Sequence, residues 1–280
     1  MPSVAVLGDT HVRVAAKLSR VIASRDVDAL LFAGDHHPTR FGASRLSAAA
    51  WRRSIRGPLN DAVIAVPGNH DYDPGGNATA WRERARQWWP AAVPRQDGPD
   101  GCFLADLGYL RVIGLDTGRG ASLVSTGQLE WLRALEIEPG TAPVVVLAHA
   151  PLFPVAAHMG RSLDADPGQR DALMDTLFRL NVAAYLCGHE HLLAHRRLVS
   201  AAHPGRTLHQ VTMGGGGAPT EEPLASGLDF AAAVHHVGLL QVAETGRISL
   251  EALDTSGSHV WSLSIGRNAL PDESAAPDAA

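Results

Sequence analysis

The chain has 280 residues, enough for one or two domains with a sizeable core, and its 45% hydrophobic and 19% charged residues are those of an ordinary folded protein. A formal net charge of −5 argues against a broadly basic nucleic-acid or membrane-surface binder. Two cysteines are too few for a disulfide framework, and no apolar run approaches the ~20 residues that span a bilayer. With no signal-peptide pattern at the start, the expectation is a cytoplasmic protein.

In chain order, short apolar runs end in polar turns. Val4-Ala5-Val6-Leu7 runs into Gly8-Asp9-Thr10-His11. A helix is predicted over residues 12–24, with Val14, Leu18, Val21 and Ile22 on one face. Ala29-Leu30-Leu31-Phe32-Ala33 runs into Gly34-Asp35, and after a predicted helix at 45–56, Ala62-Val63-Ile64-Ala65-Val66 runs into Pro67-Gly68-Asn69-His70-Asp71. Further helices are expected at 78–89, 127–135 and 170–180. Between them Val144-Val145-Val146-Leu147-Ala148 leads to His149, and Val182-Ala183-Ala184-Tyr185-Leu186 leads to Cys187-Gly188-His189. Runs of this length without alternation suit strands buried on both faces, and their alternation with helices indicates a layered α/β fold. From residue 193 strands dominate, at 194–199, 207–212, 234–242, 248–253 and 259–265, and should form or complete a second sheet. Residues 1–266 read as a single domain and 267–280 as a disordered tail, small, acidic and Pro-containing.

Ligands of open α/β sheets bind beyond the carboxyl ends of the strands. Here those ends carry Asp-x-His, Asp, Asn-His, His and His-x-His. Each has a plain structural reading alone: Asp9 as a helix cap, Asn69 in a tight turn. Their conjunction is what points to chemistry. Imidazole, carboxylate and amide oxygen suit Mn, Fe or Zn better than an all-oxygen Mg or Ca site. Their number exceeds what one four-coordinate ion takes, so two ions are expected.

Asp-x-His, Gly-Asp, Gly-Asn-His-Asp, His and Gly-His-x-His, in this order, resemble the calcineurin-like metallophosphoesterases. The resemblance runs from Val4 to at least Gly217, where Met213 is followed by four glycines. It implies a four-layer α/β/β/α sandwich with two mixed β-sheets. It also implies metal-dependent hydrolysis of a small soluble phosphomonoester or phosphodiester, by in-line attack of a metal-bridging hydroxide. Carried over residue by residue, Asp9, His11 and His191 would bind one metal, Asp35 would bridge, and Asn69, His149 and His189 would bind the second. His70 would be the catalytic residue beside the substrate phosphoryl group, next to Asn69.

The continuation Asp71 differs from the Gly-Asn-His-Glu of protein serine/threonine phosphatases. Pro38 stands where purple acid phosphatases carry a tyrosine ligand. Asp116-Thr117-Gly118 followed by Gln128-Leu129-Glu130-Trp131-Leu132 resembles the cyclic-nucleotide phosphodiesterases and their acid-phosphatase relatives. A metal-dependent nuclease and a non-catalytic protein-binding scaffold are the alternatives. Low basic content argues against the first and the intact ligand set against the second. No membrane or protein partner is expected.

Around these motifs, His36 and His37 read as a solvent-facing turn, the alternative being that one of them approaches the substrate. Asp71 is expected either to orient His70 or to cap a turn, and Glu190 to point away from the ligands. The loop 151–169, with His158, Met159 and Arg161, reads either as a wall over the site or as a mobile surface loop. Trp81, Trp88 and Trp89 read as core or interface residues.

Overall fold

The computed structural model describes residues 1–10, 12–36, 62–73, 75–118, 123–138, 140 and 142–266. The helix expected at 45–56, His37 and the tail 267–280 lie outside them. In chain order the elements are β1 (Ser3–Leu7), α1 (Val12–Ala23), β2 (Ala29–Phe32), β3 (Val63–Ala65), α2 (Thr79–Gln87), β4 (Arg95–Asp97), β5 (Phe103–Asp106), β6 (Arg111–Gly114) and α3 (Thr126–Ala134). Then follow β7 (Val144–Leu147), α4 (Pro167–Arg179), β8 (Val182–Cys187), β9 (Leu193–Val199), β10 (Thr207–Met213), β11 (Phe230–Ala232), β12 (His236–Val242), β13 (Ile248–Asp254) and β14 (His259–Ile265).

The strands make two mixed sheets, ordered β14-β13-β12-β1-β2-β3 and β11-β9-β10-β8-β7-β6-β5-β4. β1, β2 and β3 are parallel, with Val4 opposite Ala29 and Leu30 opposite Val63, and β12 closes on β1 antiparallel. β6, β7, β8 and β10 are parallel in the other sheet. The late strands therefore do not make a sheet of their own. β12–β14 extend the first sheet and β9–β11 extend the second. β4–β6 and β11 are not among the expected strands, because they are short and partly exposed rather than continuous apolar runs.

Alternation along each strand sorts the core into layers. Val4, Val6, Leu31 and Ile64 face Val145, Leu147, Leu186 and Met213 between the sheets. Ala5, Leu7, Leu30 and Phe32 point outward, under Leu18 and Ile22 of α1 and Trp81 and Ala85 of α2. Val144, Val146 and Tyr185 pack under Leu129 and Leu132 of α3 and Leu173 and Leu177 of α4. Each buried Val, Leu, Ile, Phe or Met among them contributes about 1.5–3 kcal/mol. This is the α/β/β/α sandwich expected. Ser125 caps α3 by accepting from Gln128 N–H at 3.2 Å, and Asp166 caps α4 through Gln169 N–H at 3.0 Å. Both cysteines are free and buried. Among the described residues no helix is long and apolar enough to cross a membrane.

Candidate metal centre

The two sheets present their parallel strands' carboxyl ends at one edge of the sandwich. Turns after β1, β2 and β3 bring Asp9, Asp35, Asn69 and His70 from the first sheet. Turns after β7 and β8 bring His149, His189 and His191 from the second. His11 lies outside the described residues.

The turns are sharp. Asp9, Asp35 and His189 have φ of 54°, 57° and 71°, left-handed values that cost a non-glycine residue of order 1–3 kcal/mol. Hydrogen bonds hold them there. Asp9 N–H donates to Gly34 O at 3.0 Å, Thr10 N–H to Asp35 O at 2.9 Å, and His189 N–H to Asp9 Oδ2 at 2.9 Å. Two glycines let the backbones approach. A Cβ at Gly68 would fall under 3.0 Å from Asp35 Oδ1, and one at Gly188 under 3.0 Å from Asp9 Oδ2.

The donor atoms converge in two groups. Asn69 Oδ1 lies 2.9 Å from His149 Nε2 and 3.0 Å from His189 Nδ1, and these two nitrogens are 3.2 Å apart. His191 Nε2 lies 3.7 Å from Asp9 Oδ1. Asp35 stands between the groups. Its Oδ2 is 3.6 Å from His149 Nε2, and one ligand atom each of Asp9, Asp35 and His149 lies within 4.8 Å of the others. The other ring nitrogens fix the tautomers. His149 Nδ1–H donates to Ala33 O at 2.8 Å and His191 Nδ1–H to Pro219 O at 3.1 Å, which leaves both Nε2 lone pairs aimed into the site.

Electrostatics agree with a cation there. Burial, then the charge of Asp35, holds the Asp9 carboxyl well above the usual carboxylate range, and Asp9 Oδ1 is buried without a hydrogen-bond partner among the described residues. Burial, then the charge of Asp71, raises Asp35 to about 7. Burial pushes His149 down to about 4 and His189 well below its ordinary value. Neutral His149 Nε2 therefore faces the Asn69 amide oxygen with no proton between them, an arrangement of electron pairs that a metal ion satisfies. The donor set fits the ions expected.

His70 is placed differently. Its backbone N–H donates to Asp35 Oδ1 at 2.8 Å, while its ring, 27% exposed, reaches the open side with Nε2 3.8 Å from Asp35 Oδ2. It lines a small cleft with Asp9, Asp35, His191 and Ala218.

Several neighbours were misread or missed. His36 is buried, not solvent-facing. Its Nδ1 meets Asp71 Oδ1, and Trp81 Nε1 lies 3.3 Å from the same nitrogen. Asp71 acts through turns: Oδ2 accepts from the N–H groups of Asp35 at 2.9 Å and Gly68 at 2.8 Å, stapling the turn after β3 to that after β2. Burial would raise its carboxyl, but the His36 charge and these bonds together hold it below the usual range. The loop after His149 packs against the site. Glu190 anchors it, the His158 ring packs tilted against that of His189 with centroids 4.0 Å apart, and Glu221 lies 3.8 Å from His158 Nδ1 and 3.7 Å from His191 Nδ1. Asp116 and Gln128 staple β6 to α3: Asp116 N–H donates to Gln128 Oε1 at 3.0 Å, and Gln128 Nε2 to Asp116 O at 2.8 Å. Tyr72 and Arg82 engage the Asp116 carboxylate.

The chain belongs to the calcineurin-like phosphoesterase family, whose model matches residues 2–193. Solved structures of the same fold include the purple acid phosphatase PPD1 from yellow lupin (Lupinus luteus) seeds, with TM-score 0.73 and 17% identity over 95% of this chain and 54% of that one. The chain thus spans about half the length of the lupin enzyme. GAP50, the anchor in the inner membrane complex of Plasmodium, has TM-score 0.61 and 14% identity over 95% of this chain and 89% of that one. PhoD has TM-score 0.60 and 12% identity over 92% and 67%. No curated protein matches the chain in sequence.

Proposed function

We propose that the protein hydrolyses a small soluble phosphomonoester or phosphodiester using two divalent or transition-metal ions, with Mn, Fe or Zn matching the donor set. The carrying observation is the convergence of Asn69 Oδ1, His149 Nε2 and His189 Nδ1 within 3.2 Å, with Asp35 between them and the Asp9–His191 pair. In this reading Asp9, His11 and His191 hold one ion, Asn69, His149 and His189 hold the other, and Asp35 bridges. When bound, such a pair neutralises phosphoryl charge and lowers the pKa of an attacking water toward about 7.

The protein's own groups do the rest. His149 and His191 are held as neutral acceptors by the carbonyls of Ala33 and Pro219. His70, fixed by its backbone bond to Asp35 and open on its ring side, contacts the phosphoryl group, where it stabilises developing charge or protonates the departing oxygen. The carboxylate that would set the ion separation, Asp35, also fixes the His70 backbone through that bond. Residues 1–266 act as one domain, because both sheets supply the site.

The test is metal analysis of the purified full chain, followed by assay on phosphomonoesters, phosphodiesters, nucleotides and nucleic acid with Mn²⁺. Turnover of small esters with bound metal supports the reading. Bound metal with turnover of nucleic acid alone would favour a nuclease, and no bound metal would leave the fold as a scaffold.

A further inference from the structure

Between the ligand histidines His189 and His191 sits Glu190, fully buried. Its two oxygens each accept a backbone N–H, from Val155 and from Ala156, both at 2.6 Å. The N–H of His158 turns to the same carboxylate. Charge-assisted bonds of this length are the strong kind. The Val155 carbonyl is fixed too, accepting from Leu224 N–H at 2.7 Å and Ala225 N–H at 3.0 Å. Val155 and Ala156 pack with Leu192 and Ala194 in a small core of their own. One short stretch is thus clamped through donors, acceptor and side chains.

Three residues beyond Val155 stands His158, its ring 4.0 Å from that of His189 and 6.3 Å from that of His191. Ligand atoms of His158, Glu190 and Glu221 lie within 4.8 Å of one another, as in a third metal site. Both Glu190 oxygens accept backbone donors of the loop, so the carboxylate holds the loop whether or not an ion is present.

We propose that Glu190 is a positioning residue for the phosphoester reaction, holding the Val155–His158 stretch so that His158 stands over the ligand histidines and faces the bound ester. This rests on the phosphoesterase reading above. Glu190 lies in the turn that carries two ligands, so the same few residues set both the metal centre and the wall facing its substrate. A loop freed to shift by about 1 Å would cost on the order of 100-fold in rate.

The experiment is a double-mutant cycle on the metal-loaded full chain: Glu190→Ala, His158→Ala and the pair, with kcat and KM for p-nitrophenyl phosphate and its diester, and metal content alongside. Each single change should lower kcat/KM on the better ester by on the order of 100-fold, with metal content unchanged, and the pair should be no worse than either alone. Glu190→Gln, which keeps one carbonyl acceptor, should fall between wild type and Glu190→Ala, and it replaces Glu190→Ala in the cycle if that variant does not fold. Losses that multiply in the pair, or loss of metal in the Glu190 variants alone, would overturn the proposal. A metal-loaded wild type that hydrolyses neither ester overturns the underlying reading and the proposal with it, whereas an active wild type with multiplicative losses overturns this proposal alone.

Discussion

His149 Nε2 and Asp35 Oδ2 stand 3.6 Å apart although they belong to different sheets. His149 also donates from Nδ1 to the carbonyl of Ala33, two residues before Asp35. One imidazole therefore ties the edges of both sheets together and turns its free electron pair toward the Asp35 carboxylate. The site exists only where the sandwich is closed, so metal binding and sheet packing are coupled.

The division of roles gives the first prediction. Asp35 stands between the two donor groups, while the His70 ring lies on the open side. Asp35→Ala should lose bound metal and activity together. His70→Ala should keep about two ions per chain while kcat falls by roughly 10²–10⁴-fold. Metal analysis beside steady-state kinetics reads both, and a His70→Ala protein as metal-poor as Asp35→Ala would reject the division.

The buried titrating groups give the second. In the metal-free protein, Asp35, raised to about 7 by burial and then by Asp71, contributes stability that is full below the ordinary Asp value of 3.8 and lost as pH climbs through about 7. His149, pushed by burial to about 4, contributes in the opposite sense, and that part is lost as pH falls below 6.5. A metal ion takes the deprotonated form of each group. The rise in Tm on adding Mn²⁺ should therefore grow between about pH 5 and about pH 8. An increment that stays flat or shrinks over this range would contradict the assignment. Asp35→Asn should abolish the increment while sparing the metal-free fold the cost of a buried carboxylate at high pH.

A third prediction concerns close approach. Gly188 passes against the Asp9 carboxylate, and a Cβ there would lie under 3.0 Å from Oδ2, the oxygen that accepts from His189 N–H. Gly188→Ala should push Asp9 and His189 apart and weaken metal binding more than it lowers the Tm of the metal-free protein. Calorimetric metal titration beside thermal melts separates the two effects. Equal metal affinity in variant and wild type would show that the turn relaxes freely.

What was legible in the sequence follows range. Each motif sits within a few residues of an apolar run, so local pattern sufficed to place Asp9, Asp35, Asn69, His149, His189 and His191 at strand ends. Long-range contacts were not legible. His36 reads locally as part of a polar turn, and its burial comes from Asp71 and from Trp81, 45 residues on. Glu190 reads as a spacer between two ligands, and its bonds reach back 35 and 34 residues to Val155 and Ala156. β5 and β6 carry half-exposed positions that hide them among loops, yet β6 ends at the Asp116 turn. There the Asp-Thr-Gly and Gln-Leu pattern turned out to staple a strand to a helix, with Thr117 Oγ1 accepting from Ala150 N–H at 3.1 Å, beside His149.

The last prediction concerns ester class. The cleft is lined by Asp9, Asp35, His70, His191 and Ala218, so neither lysine nor arginine lines it among the described residues. The guanidinium of Arg82 is engaged by Asp116. A phosphodiester carries one negative charge, which the ions and His70 can meet. A monoester dianion gains more from an arginine fork, whose paired N–H groups match its oxygens. Gly68-Asn69-His70-Asp71, without the protein-phosphatase continuation, leans the same way. Against this, the loop clamped by Glu190 walls one side of the site and could exclude a second ester arm. We therefore expect bis-p-nitrophenyl phosphate and cyclic AMP to be hydrolysed detectably beside p-nitrophenyl phosphate in the same Mn²⁺ buffer. The comparison is kcat/KM across the three, with His158→Ala as a control for the wall. If the loop is what excludes the larger ester, that variant gains on the diester relative to the monoester. Activity confined to the monoester in both proteins would reject the diesterase leaning and leave the two-metal assignment standing.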